Sequence, residues 1–317
     1  MQNVKTMGLK FLKDQKVLIA TILLFIVSAI ISPHFLSGMN LANLMLQIST
    51  TGIVSVGVMF VMLTGEFDIS VGSLMAFYGI LSIQLSNSVG YWAAWAALVP
   101  LSLIIGCIYG FLVAKVKINS FVVTLGGMLF YRGLGYILSN SEPISATDFA
   151  TYGWIGMNNF LGLSYLVYVF LLLILISWFI IRKTRFGRNI MATGGNYDVA
   201  KASGVNVNFY KYSTYVICAF TAMLAGMLSS ARLCRAVPNA GEDASMTAIS
   251  SVVIGGTSMA GGEGGALQTL LGVFLLGLIN NILNMMGVNA YYQQFIRGGI
   301  LIVIVCFDRY FRNKDKN

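Results

Sequence analysis

Apolar runs, most close to twenty residues long, follow one another from Val17 almost to the end of the chain, with short polar stretches between them. A helix needs about 20 residues to cross roughly 30 Å of hydrocarbon, and shorter runs serve where helices are broken or packed inside protein. By that measure ten segments are predicted as membrane helices: 17–32, 41–63, 68–86, 92–113, 120–139, 163–181, 211–231, 245–260, 265–285 and 291–308. No interval is long enough for a soluble domain, so residues 1–317 are predicted to form a single all-α transmembrane domain. The longest polar interval, 182–210, has small apolar residues at helical spacing (Val199, Ala202) and is expected to contain a short helix. It reads either as a charged anchor at the membrane surface or as a docking site for a partner.

Two intervals are too glycine-rich for plain spanning helices. One is "TGEFDISVGS", Thr64 to Ser73; the other is "IGGTSMAGGEGG", Ile254 to Gly265. Glycine is poor in helix interiors and permissive where a chain turns sharply, so both are expected to be helix breaks. The break positions are Gly65, Glu66, Asp68, Ser70, Gly72 and Ser73 in the first, and Gly261, Gly262 and Gly264 in the second. "GEFDIS" at 65–70, after the second segment, resembles "GEDAS" at 241–245, after the seventh. Five helices separate them, and this odd number implies an inverted repeat of five helices, with the first copy on the cytoplasmic side and the second on the outer side.

Composition agrees with a bilayer: 57% of the residues are hydrophobic and 10% charged, against about 25% charged in soluble domains. The net charge of +9 is explained by orientation. With the N-terminus inside, sixteen of the twenty Lys and Arg residues fall on inner segments, and both termini are cytoplasmic. No basic and aromatic pattern for nucleic acid accompanies the charge. The apolar run from Val17 lacks a small-residue cleavage site and is expected to be a retained first helix. Cys107, Cys218, Cys234 and Cys306 stand singly among apolar residues and are expected to pack.

Candidate chemistry is sparse. Glu66 and Asp68 are open to three readings: catalytic carboxylates, groups lining a solute path near an inner gate, or residues that fix the break. The last is preferred, because Asp68 precedes a helical stretch as an N-terminal cap should and no nucleophile or metal cluster accompanies the pair. Gln47, Thr51 and Ser55 on one segment, and Asn280 and Asn284 on another, recur at four-residue spacing, with Asn281 beside them. Each set occupies one helical face, suited either to hydrogen bonding between helices or to the passage of a hydroxylated solute. Arg132 lies within a span and needs a partner, water or headgroups. Arg232, Arg235, Glu242 and Asp243 form a charged outer loop, and His34 has no companions for a metal.

The motifs, taken together, resemble the permease subunits of bacterial ABC importers of the ribose, galactose and xylose group. "TGEFDISVGS" is similar to that family's GG-I-D-L-S-V-G-S element. In order along the chain, "INSFVVTLGGMLFYRGLGYILS" (118–139), "TRFGRNIMATGGNYDVAKASGVNV" (184–207), "AISSVVIGGTSMAGGEGG" (248–265) and "LGVFLLGLINNILNMMGV" (271–288) resemble its other segments. The resemblance implies a multi-pass inner-membrane permease that pairs with an identical or closely related second permease subunit. It also implies an external solute-binding protein, surrounding membrane lipid and a cytoplasmic ATP-binding subunit that uses ATP and Mg. The chain has no GxxxxGK[ST] loop, so no cofactor is expected on it, nor any catalytic or metal site. The resemblance makes 182–210 a coupling loop, in which Asp198, Val199, Ala200 and Gly204 occupy the E-A-A-x-x-x-G positions of ABC importers, with Asp for Glu and Val for the first Ala. It makes Arg232, Arg235, Glu242 and Asp243 contacts for the binding protein. The expected function is import of a sugar or related small hydroxylated solute. The competing class is an ion-coupled secondary transporter, and an intramembrane enzyme lacks a catalytic set.

Overall fold

The computed structural model describes residues 16–299 and residue 302. Lys5, Lys10, Lys13, Arg309, Arg312, Lys314, Lys316, Cys306 and the rest of the 291–308 segment lie outside the described residues, and with them the two ends expected in the cytoplasm.

The helices in chain order are α1 (Lys16–Ile31), α2 (Gly38–Leu63), α3 (Val71–Val89), α4 (Tyr91–Gly110, prolonged by a π-helical turn at Phe111–Lys115) and α5 (Ser120–Leu138). Two single-turn helices follow, α6 (Phe149–Tyr152) and α7 (Trp154–Met157), then α8 (Tyr165–Lys183), α9 (Arg185–Gly195), α10 (Tyr197–Ala202) and α11 (Val207–Leu233). The chain continues through α12 (Ala244–Gly255), α13 (Ala266–Met285) and a helix α14 at 290–299. Each of the ten predicted segments falls on one of these helices, the last only over its described part. Among the described residues, six are long and apolar enough to cross a membrane: α2, α4 with its π turn, α5, α8, α11 and α13. α1 and α12 are shorter, and α3 carries Ser82, Gln84, Ser86, Asn87 and Ser88 in its second half. The protein is a multi-pass, mostly helical membrane protein. Among the described residues, two small antiparallel pairs depart from an all-α chain: Ile144–Ser145 with Arg235–Ala236, and Asn159–Phe160 with Leu163–Ser164.

Local signals set the helix starts. Ser37, Asn119, Ser164, Thr184 and Asn206 each accept an amide hydrogen bond from the first turn they precede. The Asn206 cap starts α11 at Val207, four residues before the predicted 211. The 182–210 interval is correspondingly not a loop with one short helix but α9, α10 and the first turn of α11. α12 ends at Gly255, short of the predicted 260, because Gly256 adopts φ 107° and residues 256–265 run irregularly.

The core forms around α2 and α11, of 26 and 27 residues, each about 40 Å long at 1.5 Å per residue. Every residue of α2 from Gly52 to Leu63 is buried. α11 packs on α2, α3 and α4, while α12 and α13 pack on each other and on α2. Small residues bring these helices close: a side chain at Gly57 would meet the Cys218 backbone at 2.9 Å. On the outside, α5 and α8 present Phe121, Val122, Leu129, Phe130, Leu172 and Leu175, the apolar surface that a bilayer solvates.

Candidate functional site

The two glycine-rich breaks meet. The amide of Gly262 donates to the carbonyl of Leu63, the last residue of α2, at 3.0 Å. Leu63 would otherwise be left with an unsatisfied carbonyl at a buried helix end. After the turn at Gly65 (φ 78°), the chain runs back through Asp68 and begins α3 against the start of α12. Ser245 joins them: its hydroxyl donates to the Ile69 carbonyl at 2.7 Å and accepts from the Gly72 amide at 2.9 Å. Gly72 and Gly241 allow this approach, since a Cβ on Gly241 would lie 2.7 Å from the Gly72 carbonyl oxygen and one on Gly72 would overlap that of Gly241.

This contact revises two expectations. "GEFDIS" and "GEDAS" were assigned to opposite membrane sides, yet Ile69 and Gly72 touch Ser245 directly. The chain doubles back after α11: Cys234 takes a left-handed conformation (φ 47°), and Arg132 of α5 donates through Nη1 to the carbonyls of Pro238 (2.5 Å) and Ala240 (2.8 Å). The in-span guanidinium thus finds its partners in backbone oxygens of the returning segment. The second revision concerns Asp68, which is wholly buried. Its Oδ1 accepts from the Ser70 amide at 2.8 Å and the Ser70 hydroxyl at 2.6 Å, one step before the helix. The amide of α3 is capped instead from another element, by Ser245. The positive ends of α3 and α12 therefore face one another, with Asp68 and Asp243 beside them. Ser73, on the first turn of α3, is buried, and Gly261, Gly262 and Gly264 all hold positive φ in the second break.

Glu66 points away from this junction. It pairs with Lys211 of α11 at 2.5 Å, both side chains less than a fifth exposed. The Lys211 ammonium also lies 5.5 Å from the centre of the Tyr197 ring, at the first residue of α10. α10 is a small capped unit. Asn196 Oδ1 accepts from the Val199 amide at 3.1 Å. At its end the Gly204 amide donates to Lys201 and the Val205 amide to Ala200, the paired bonds of a Schellman motif, with Gly204 at φ 81°. Ala200 is buried beneath this unit, whereas Asp198 and Val199 are exposed, Val199 by 61%.

The polar faces read from sequence divide. Gln47, Thr51 and Asn280 line one small cavity of about 30 Å³ with Thr247 of α12, room for roughly one water. Ser55 is buried and donates to the Thr51 carbonyl at 2.8 Å. Asn281 exchanges hydrogen bonds with Asn40 (2.9 and 3.2 Å), and Asn284 accepts from Gln293 at 2.8 Å. Thr247 and Leu276 also line a neighbouring cavity of about 220 Å³, with Asp243, Met246, Ser250, Gln294 and Arg297. Of the charged outer-loop set, Arg232 ends α11 and Arg235 is exposed on a strand, while Glu242 and Asp243 lie further along, at the start of α12. Ser245, Thr247, Lys211 and Gln294 were not singled out in the sequence. For Ser245 the signal was present, as the last residue of "GEDAS".

A family model described as branched-chain amino acid transport system / permease component matches residues 40–305. The chain is 38% identical over 302 residues to the ribose import permease protein RbsC of Escherichia coli (strain K12), covering 94% of each. It is 35% identical over 298 residues to the ribose import permease protein RbsC of Bacillus subtilis (strain 168), covering 90% of each. It is 33% identical over 294 residues to the L-arabinose transport system permease protein AraH of E. coli K12, covering 92% of this chain and 89% of that protein. No solved structure matches.

Proposed function

The chain belongs to the branched-chain amino acid transport system / permease component family, and on that premise we propose that it is the permease subunit of an ATP-driven importer that carries a sugar or related hydroxylated solute across the inner membrane. Relatives named for ribose and L-arabinose, alike over nearly their whole lengths, support the solute class. The observation that carries the mechanism is the α10 unit. It offers Asp198 and Val199 outward, is fixed by its Asn196 and Gly204 caps, and leads through Tyr197 and Lys211 to Glu66 in the first break. An element that docks a cytoplasmic ATP-binding subunit would, in this arrangement, pull on the break that closes α2 and opens α3.

In this reading the ten helical segments span or re-enter the membrane, and α2–α3 corresponds to α11–α12 in a five-helix inverted repeat. Broken helices whose N-termini converge at the centre are how many transporters build a site at mid-membrane. A second permease subunit, identical or closely related, completes the passage. A solute-binding protein docks at the outer face near Arg232 and Arg235, where rim charges steer association. ATP and Mg are held by the partner ATPase. Affinity purification of the tagged chain from gently solubilised native membranes tests this: it is expected to bring down an ATP-binding subunit in a stable complex whose ATP hydrolysis rises with the loaded binding protein. A chain that purifies alone and drives uptake on an ion gradient would overturn it.

A further inference from the structure

At the start of α12, Asp243 faces α14. Its Oδ1 accepts from Gln294 Nε2 at 3.0 Å, a hydrogen bond, while its Oδ2 stands 3.8 Å from Arg297 Nη2. A closed Arg–carboxylate bond measures about 2.7–2.9 Å, so this pair leaves a gap, with the Arg297 side chain 25% and the Asp243 side chain 48% exposed. Arg297 is restrained on its other side, with Nε toward the Gln293 carbonyl at 3.4 Å. The pair lines the 220 Å³ cavity together with apolar Leu276 and the half-exposed Met246, and its other polar side chains, Thr247, Ser250 and Gln294, are neutral. Drug-sized ligands occupy roughly 300–1,000 Å³; this cavity is scaled for something smaller.

A hydroxyl suits the gap because it donates and accepts at once. It can give its proton to Asp243 Oδ2 and accept from Arg297 Nη2, closing both ends. A sugar ring adds an apolar C–H face for Met246 and Leu276 and further hydroxyls for Thr247 and Gln294. We propose that Asp243 and Arg297 form a subsite for a neutral polyol, with one solute hydroxyl bridging their side chains. The pair carries no net charge, so it offers a polyol two strong hydrogen bonds without drawing in an ion. The subsite adjoins the Gln47, Thr51 and Asn280 cavity through Thr247 and Leu276, so a released solute meets further neutral polar groups. This inference rests on the importer reading and specifies where within it the solute is handled.

The test uses the assembled transporter in proteoliposomes, with ribose and its monodeoxy analogues supplied at concentrations that saturate the binding protein, so that the binding protein's own selectivity drops out. Sites built to bond a hydroxyl reject analogues lacking it strongly. The wild-type complex should turn over ribose at least about tenfold faster than one of the analogues. Asp243→Asn and Arg297→Gln should bring that ratio to within about twofold of unity in complexes that still take up ribose. Arg297→Lys, which retains the charge but not the fork, should give an intermediate ratio and serves if the other variants do not assemble. A ratio unchanged in variants that still transport, or a wild-type complex that turns over every analogue as fast as ribose, would overturn the subsite and leave the importer reading standing. Wild-type uptake that ignores ATP would instead overturn the importer reading.

Discussion

Two buried side chains hold the start of α3, Asp68 from just before it and Ser245 from α12. Asp68→Ala would leave the Ser70 amide and hydroxyl without their acceptor, a loss of about 1–3 kcal/mol for a buried group. Asp68→Asn keeps a carbonyl oxygen in that place. Thermal unfolding of the detergent-solubilised protein should therefore fall clearly for Asp68→Ala and little for Asp68→Asn; equal losses would mean that the charge itself is required. Ser245→Ala removes both bonds that join α12 to α3 and should cost about 1–2 kcal/mol, read in the same melt. That Asp68 fixes the break could be read from its place before "ISVG". That Ser245 supplies the cap was marked only by its place at the end of "GEDAS", because a cap donated from 173 residues away has no local spacing signal at the helix it serves.

At the scale of elements, the proposed coupling runs through α10 and its tie to the first break. Gly204 has open space around it, so a side chain there meets no clash, but its left-handed conformation costs a non-glycine residue roughly 1–2 kcal/mol. Gly204→Leu should loosen the Schellman end of α10, leaving insertion intact and ATP hydrolysis running while uptake falls about tenfold, the scale set by that strain. Unchanged uptake would remove α10 from the coupling path. Lys211→Met strands Glu66 in a mostly buried place and should depress uptake per ATP hydrolysed, and the exchange Glu66→Lys with Lys211→Glu should recover part of it. Recovery of nothing would assign the two side chains separate roles. The helices themselves were legible because an apolar run of fixed length leaves few alternatives to a helix. α9 was less so, since Arg185, Arg188 and Asn189 give it the composition of a loop.

Across the whole molecule, the decisive feature is the meeting of two chain segments that hydropathy places far apart. Gly72 reaches Gly241 because Arg132 satisfies the Pro238 and Ala240 carbonyls as the chain folds back. Hydropathy measures burial but not which buried strands touch, so the opposite-side assignment followed naturally from the loop count. The same return brings Asp243, read in the sequence as part of a charged outer loop, to Gln294 and Arg297. In the proposed reading, the tie from α10 through Lys211 and Glu66 joins a docking element to the break that begins α3. The most direct measurement is uptake of labelled ribose by proteoliposomes holding this chain, its ATP-binding subunit and its binding protein. Accumulation that requires hydrolysable ATP inside and stops when the ATPase is inactivated is the predicted result; accumulation by the chain alone, driven by an ion gradient, would contradict it.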